Sequence, residues 1–180
     1  MPAPGATPSF RIGQGFDVHR FSADPGRRLV LGGVVVDAAP GLDGHSDADV
    51  LSHALADALL GAAALGDLGR HFPDTDPAWE GVRSLELLER VLSMLEARQI
   101  DVLNADCTIV CERPRLSGYT PRMARELTSL LGAPVSVKVK RGEGLGTLGS
   151  LEGIACLSVA LVTTRDSVGG AESETHSVPL

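Results

Sequence analysis

The chain of 180 residues has few aromatic side chains: Phe, Trp and Tyr together make up 3% of it. Leu, Val and Ala must therefore pack the core, and an apolar fraction of 43% supplies them. Long apolar runs are also absent. The longest, Ala58–Gly66, falls far short of the roughly 20 residues that cross a bilayer. Met1–Ser9 has neither the basic start nor the apolar stretch of a targeting segment. Positive charge is scarce too. Sixteen Lys and Arg against 23 Asp and Glu leave a net charge of −7, which argues against a general nucleic-acid binder, whose basic footprint must offset phosphates. A small phosphorylated substrate, met by metal ions and a few local cations, is still compatible. The three cysteines, Cys107, Cys111 and Cys156, form no CxxC pair. They read as small buried hydrophobes in a reducing compartment, so a cytoplasmic protein with no membrane span is expected.

The length suits one domain of mixed α and β structure. Met1–Ser9 and the polar Thr163–Leu180 read as flexible tails flanking an ordered domain over residues 10–162. Arg11–Phe21 reads as a strand with Gly13, Gly15, Asp17 and His19 on one face and Ile12, Phe16 and Val18 on the other. Leu29–Val36, interrupted by Gly32-Gly33, reads as two short strands around a kink or hairpin. A helix is expected to begin at Ser46 or Asp47, burying Val50, Leu51, Ala54, Leu55, Ala58 and Leu59 and leaving Asp49, His53 and Asp57 on a polar face. A second helix covers about Ser84–Ala97 with Leu85, Leu88, Leu92 and Leu95 as its buried stripe. The third runs from Thr120-Pro121 to Leu131, closed by Gly132. Strands are expected over Asp101–Cys111, Val135–Lys140 and Gly153–Val162. The last is apolar on both faces, so both must be covered.

Several residue groups carry chemistry. Asp17 and His19 point the same way from one strand, and His53 faces away from its helix core. Together they make an Asp/His/His set with an open fourth position, suited to a zinc that also holds substrate. His45-Ser46 precedes a helix, where an anion is favoured; a plain loop histidine is the alternative. Asp67-Leu68-Gly69 and Phe72-Pro73-Asp74-Thr75-Asp76 place carboxylates on loops, either for substrate hydroxyls or for Asx turns. Glu112-Arg113-Pro114-Arg115 follows a strand end, as a phosphate contact or an exposed basic turn. Glu143, in the glycine-rich Arg141–Gly146 loop, could hold a hydrated Mg²⁺ that bridges phosphates. That loop lacks the order of a P-loop and the context of a dinucleotide fold.

Three blocks, Gly13-x-Gly15-Phe16-Asp17-Val18-His19, His45-Ser46-Asp47-x-Asp49-(x₃)-His53-Ala54-x-x-Asp57-Ala58-Leu59-Leu60-Gly61-Ala62 and Gly66-Asp67-x-Gly69-(x₂)-Phe72-Pro73-Asp74-Thr75-Asp76, closely resemble the 2-C-methyl-D-erythritol 2,4-cyclodiphosphate synthases. The resemblance covers essentially all of Arg11–Val162. It implies an α/β (α+β) subunit, a four-stranded sheet with helices on one face. Three such sheets pack around a homotrimer axis that can hold an isoprenoid phosphate, with active sites between neighbouring subunits. It implies closure of 4-diphosphocytidyl-2-C-methyl-D-erythritol 2-phosphate to the cyclic diphosphate with release of CMP. Asp17, His19 and His53 then match zinc ligands, and Glu143 matches the Mg²⁺ or Mn²⁺ ligand. His45 and Ser46 fall at the substrate phosphates, Asp67 to Gly69 and Phe72 to Asp76 around the erythritol, and Cys111, Pro114, Arg115, Leu116 and Ser117 in the cytidine pocket.

The late region departs from the family pattern. Lys140-Arg141 stands where a Thr-Thr pair is common, Thr147 where phenylalanine is usual, Ser150 where arginine is usual, and Arg115 where lysine is usual. Arg141 is the candidate replacement for the lost phosphate contact, because a guanidinium clamps phosphate bidentately. Two other readings are a trimeric isoprenoid-phosphate-binding homologue and a metal-dependent phosphohydrolase. Intact Asp17, His19, His45, His53 and Glu143 argue against the first, and no position for an attacking water supports the second.

Overall fold

A computed structural model describes residues 9–165. The proposed tails lie outside it apart from Ser9, which opens the first strand, Thr163 and Thr164, which belong to the last, and Arg165, which pairs with Asp101; the final strand thus runs two residues beyond the expected boundary. The strands are β1 (Ser9–Arg20), β2 (Arg28–Leu31), β3 (Val34–Pro40), β4 (Ile100–Val110), β5 (Val135–Lys140) and β6 (Gly153–Thr164). The helices are α1 (Val50–Ala62), the short α2 (Leu68–His71), α3 (Ser84–Glu96) and α4 (Thr120–Leu131), with single 3₁₀ turns at Pro77–Trp79 and Gly146–Gly149.

The main sheet has the order β1-β6-β4-β5, with β6 antiparallel to both its neighbours and β4 parallel to β5. Consequently β1, β4 and β5 run the same way, and their C-terminal ends lie at one end of the sheet. β2 and β3 form a separate hairpin. Its Gly32-Gly33 turn takes φ of +56° and +72°, the conformation that a two-residue hairpin needs and that glycine adopts without penalty.

α1 is the central element, buried nearly all round between β1, β6 and β4 on one side and α3 on the other. Gly13 and Gly15 explain how closely it lies. A Cβ on Gly15 would stand 2.0 Å from the Ala54 carbonyl oxygen, and one on Gly13 would stand 1.9 Å from that of Ala58. These glycines clear space for a helix backbone, with the small Ala54, Ala58 and Ala62 facing them. The largest fully buried side chains are all Leu, Ile or Met, as an aromatic-poor chain requires.

Two local expectations are corrected. α1 begins three to four residues later than Ser46 or Asp47, because Ala48 has φ +55° and cannot join a right-handed helix. The N-cap is Asp49, which is fully buried rather than on a polar face. Its carboxylate accepts from Ser52 N (3.1 Å), Ser52 Oγ (2.8 Å) and the hairpin amides of Gly32 and Gly33 (both 2.8 Å), stitching helix to hairpin. In α3 the buried stripe is Leu87, Leu88, Val91 and Leu95, with Leu85 and Leu92 at its half-buried margins. Docking against α1 sets this rotation.

The helices cover only one face of the main sheet. On the other, Ile12 is 72% exposed, Phe16 51% and Val18 56%, and Leu157 and Val159 beside them on β6 are exposed as well. The alternation expected for β1 therefore holds, but its apolar side faces outward within one chain.

Candidate active site

At the C-terminal end of β1, Asp17 and His19 project toward the helix layer, where α1 supplies His53. Asp17 Oδ2 lies 3.0 Å from both His19 Nε2 and His53 Nδ1, and the two nitrogens are 3.3 Å apart. Among the described residues this is the one group of three metal-ligating side chains with ligand atoms mutually within 4.8 Å.

Hydrogen bonds on the outer side of each ring determine what faces inward. His19 Nδ1 is 2.6 Å from the Asp43 carbonyl oxygen. A carbonyl only accepts, so Nδ1 carries the proton and Nε2 of the neutral ring offers a lone pair. His53 Nε2 is 2.8 Å from Ser84 Oγ, and Ser84 Oγ donates to Asp47, which only accepts. Ser84 must therefore accept from His53 Nε2–H, leaving a lone pair on His53 Nδ1. Ser46 Oγ adds a contact to His53 Nε2 at 3.1 Å and to Ser84 Oγ at 3.2 Å. Two imidazole lone pairs and a carboxylate oxygen thus converge on one point. Acceptors this close need a cation or a proton between them, and an Asp/His/His set with outer nitrogens held in this way fits zinc.

The electrostatics agree. Burial pushes the Asp17 carboxyl up, but its contacts with the His19 and His53 rings, with a proton between them where no cation lies, overcome this and hold it well below the usual carboxylate range. Burial likewise disfavours charged His19, and Asp17 reverses the effect, raising its pKa above 6.5.

This group borders a cavity of about 230 Å³ lined by His19, Gly44, His45, Ser46, His53, Leu68, Phe72, Asp74, Trp79 and Leu87. His45 Nε2–H donates to the Asp76 carbonyl at 3.3 Å, joining the wall at His45 to the Phe72–Asp76 loop. Of that segment's residues, Leu68, Phe72 and Asp74 line the cavity, whereas Asp67, Gly69, Pro73, Thr75 and Asp76 do not. The Asp67 and Asp76 carboxylates cap helical turns, accepting from Arg70 N (2.9 Å) and Ala78 N (3.0 Å). Asp57 accepts from Leu68 N at 2.7 Å and fixes the start of α2. Ser46 is buried, its hydroxyl turned to His53.

A second cavity, of about 310 Å³, gathers Cys111, Pro114, Arg115, Leu116 and Ser117 with Glu112, Val139 and Arg141, at the ends of β4 and β5. Arg141 Nε donates to Glu112 Oε1 at 3.0 Å, and its Nη2 also contacts that oxygen. The guanidinium holds the Glu112 carboxyl below its ordinary range. Burial pushes the Cys111 thiol up to about 11, so it is no nucleophile. Glu143 is exposed on the loop after β5, at φ +51°, and its charge reinforces that of Arg141. The two cavities share the same end of the sheet but lie at its opposite edges, β1 and β5. Three strand spacings separate those edges, about 14 Å.

Sequence reasoning missed Asp43, Ser84, Trp79 and Leu87. Ser84 looked like an ordinary helix start, and the Asp43 contribution is a backbone carbonyl, which no side-chain motif announces.

A family model described as the YgbB family matches residues 10–163. A 2-C-methyl-D-erythritol 2,4-cyclodiphosphate synthase of Symbiobacterium thermophilum is 52% identical over 157 residues, covering 86% of this chain and 99% of that protein. Among solved structures, the bifunctional IspDF of Campylobacter jejuni matches with a TM-score of 0.83 at 36% identity, over 89% of this chain and 44% of that one. A 2C-methyl-D-erythritol-2,4-cyclodiphosphate synthase in a CDP-bound form matches with a TM-score of 0.76 at 37% identity, over 84% of this chain and 99% of that one.

Proposed function

The chain belongs to the YgbB family of 2-C-methyl-D-erythritol 2,4-cyclodiphosphate synthases, and from that premise we propose that it cyclises 4-diphosphocytidyl-2-C-methyl-D-erythritol 2-phosphate as a phosphorus–oxygen lyase. An oxygen of the 2-phosphate forms a bond to the β-phosphorus. The bond from that phosphorus to the bridging oxygen breaks, and its electron pair leaves with CMP. The reaction needs no protein nucleophile; positioning and charge stabilisation suffice.

The observation that carries this reading is the convergence of Asp17, His19 and His53 lone pairs beside a cavity walled by His45. These three residues would hold zinc, which would supply positive charge that polarises a phosphoryl oxygen. His45, its Nε2–H held by the Asp76 carbonyl, walls the phosphate side of the cavity next to Ser46. Leu68, Phe72 and Asp74 wall the erythritol, with Asp67, Gly69, Pro73, Thr75 and Asp76 shaping that wall. Cys111, Pro114, Arg115, Leu116 and Ser117 form the cytidine pocket, bordered by Arg141, whose Nε and Nη2 are held by Glu112 and whose remaining N–H groups would meet phosphate. Glu143, with the substrate diphosphate, would hold Mg²⁺ or Mn²⁺.

The working unit is a homotrimer. The exposed apolar sheet face supports this, since a patch of Ile, Phe, Val and Leu is favourably removed from water by a second copy. The separation of the two cavities supports it too: a neighbour's β5 edge can meet the β1 edge and complete one site. An isoprenoid phosphate could occupy the axis between the three faces. Free, buried cysteines are in keeping with a cytoplasmic location, and none of the described helices is long and apolar enough to cross a membrane.

The test is incubation of purified protein with the cytidyl diphosphate substrate, zinc and magnesium. CMP and cyclic diphosphate in equal amounts are expected. No CMP release overturns the proposal; release of CMP with an open-chain product identifies a phosphohydrolase. The replaced late residues motivate the second reading, an isoprenoid-phosphate binder with weakened catalysis, which predicts tight ligand binding without turnover.

A further inference from the structure

A cavity of about 460 Å³ lies behind the metal-ligand wall, lined by Gly26, Arg27, Arg28, Val30, Gly33, Val35, Ser46, Asp47, Gly81, Arg83 and Leu85. It is separate from the two cavities assigned to substrate, sharing only Ser46 with the first. In a chain of net charge −7, three arginines and one acidic residue line it. Among the described residues no acidic side chain forms an ion pair with Arg27, Arg28 or Arg83. Asp47, the one acid present, is already engaged by Ser84 through its amide and hydroxyl. Arg27 is held in place by Nη2, which donates to the carbonyl oxygens of Gly44 (2.8 Å) and Ser46, while its Nε–H is buried without a partner.

We propose that this cavity is a second anion site taking a small phosphomonoester. A phosphoryl group carries more charge and one more peripheral oxygen than a carboxylate, so a cavity bordered by three arginines favours it. The cavity is larger than a bare phosphate requires, and Val30, Val35 and Leu85 form an apolar wall for the organic part. Because Arg27 also grips the carbonyls on either side of His45, an occupant fixes the loop that forms one wall of the metal-side cavity.

The site stands independently of the reaction proposed above, and binding alone tests it. Calorimetric titration of zinc-loaded protein with phenyl phosphate, inorganic phosphate and benzoate is expected to show the tightest binding for phenyl phosphate and the weakest for benzoate. Arg28 and Arg83 are exposed and touch none of the metal ligands, so Arg28→Ala/Arg83→Ala retains the fold; it should weaken phenyl phosphate binding by about tenfold per guanidinium removed. His45→Ala should leave it unchanged. No saturable binding, equal affinity in the double variant, loss of binding in His45→Ala, or benzoate binding as tightly as phenyl phosphate would each overturn the proposal.

Discussion

At the residue scale, the site depends on which nitrogen of each histidine is free. Ser84 and Asp47 never reach the cation position, yet they hold His53 with its Nδ1 lone pair inward. Ser84→Ala should therefore weaken zinc binding by about 10- to 100-fold while leaving all three ligands in place, measured by competition with a chromophoric chelator. Unchanged affinity would mean that Ser46 alone orients the ring. The same lone pairs bind protons. The His19 pKa is raised in the folded state, so in metal-free protein its stabilising contribution is complete below 6.5 and lost as pH rises through the raised value. The Asp17 pKa is lowered, and its contribution is lost only in acid below 3.8. Zinc bound at these three residues would displace the His19 proton, so its affinity should move the other way. The zinc-induced rise in Tm should grow between about pH 6 and pH 8; a constant rise would show that His19 does not carry the competing proton.

At the element scale, the α1–β1 contact brings the ligands together. His53 adjoins Ala54, whose carbonyl lies against Gly15. Gly15→Ala would place a methyl group inside contact distance of the helix backbone, so α1 must lift away from the sheet. The expected cost is about 1–3 kcal/mol in urea unfolding, together with loss of zinc affinity. Gly13→Ala meets the helix a turn further on, at Ala58 and Ala62, and should cost similar stability with a smaller effect on zinc. If both variants lost zinc equally, general destabilisation would be the cause rather than displacement of His53.

At the scale of the whole molecule, the uncovered sheet face is the surface on which the proposed trimer would form. Ile12, Phe16 and Val18 touch little within their own chain, so a charge among them costs a lone subunit almost nothing but is buried in an assembly. If the proposed trimer forms on this face, Ile12→Asp should leave monomers in analytical ultracentrifugation and abolish turnover, while each monomer still binds added zinc through Asp17, His19 and His53. A trimer that survived the substitution would show that this face is not the contact.

Much of this was legible in the sequence. Period-two alternation placed Asp17 and His19 on one face of β1, helical spacing turned His53 away from the leucines, the Val135–Lys140 strand has the expected bounds, and the third long helix ends at Leu131 as expected, though its cap is Tyr119 rather than Thr120. These are local regularities, governed by backbone geometry over a few residues. The reason for Gly13 and Gly15, the buried Asp49 cap, the rotation of α3, and the parts played by Ser84 and the Asp43 carbonyl depend on neighbours distant in sequence, and no local pattern encodes them. The sequence by itself determined which residues were available to bind a cation. Only the tertiary structure decided which lone pairs face it, because outer hydrogen bonds from Asp43 and Ser84 select one nitrogen of each imidazole.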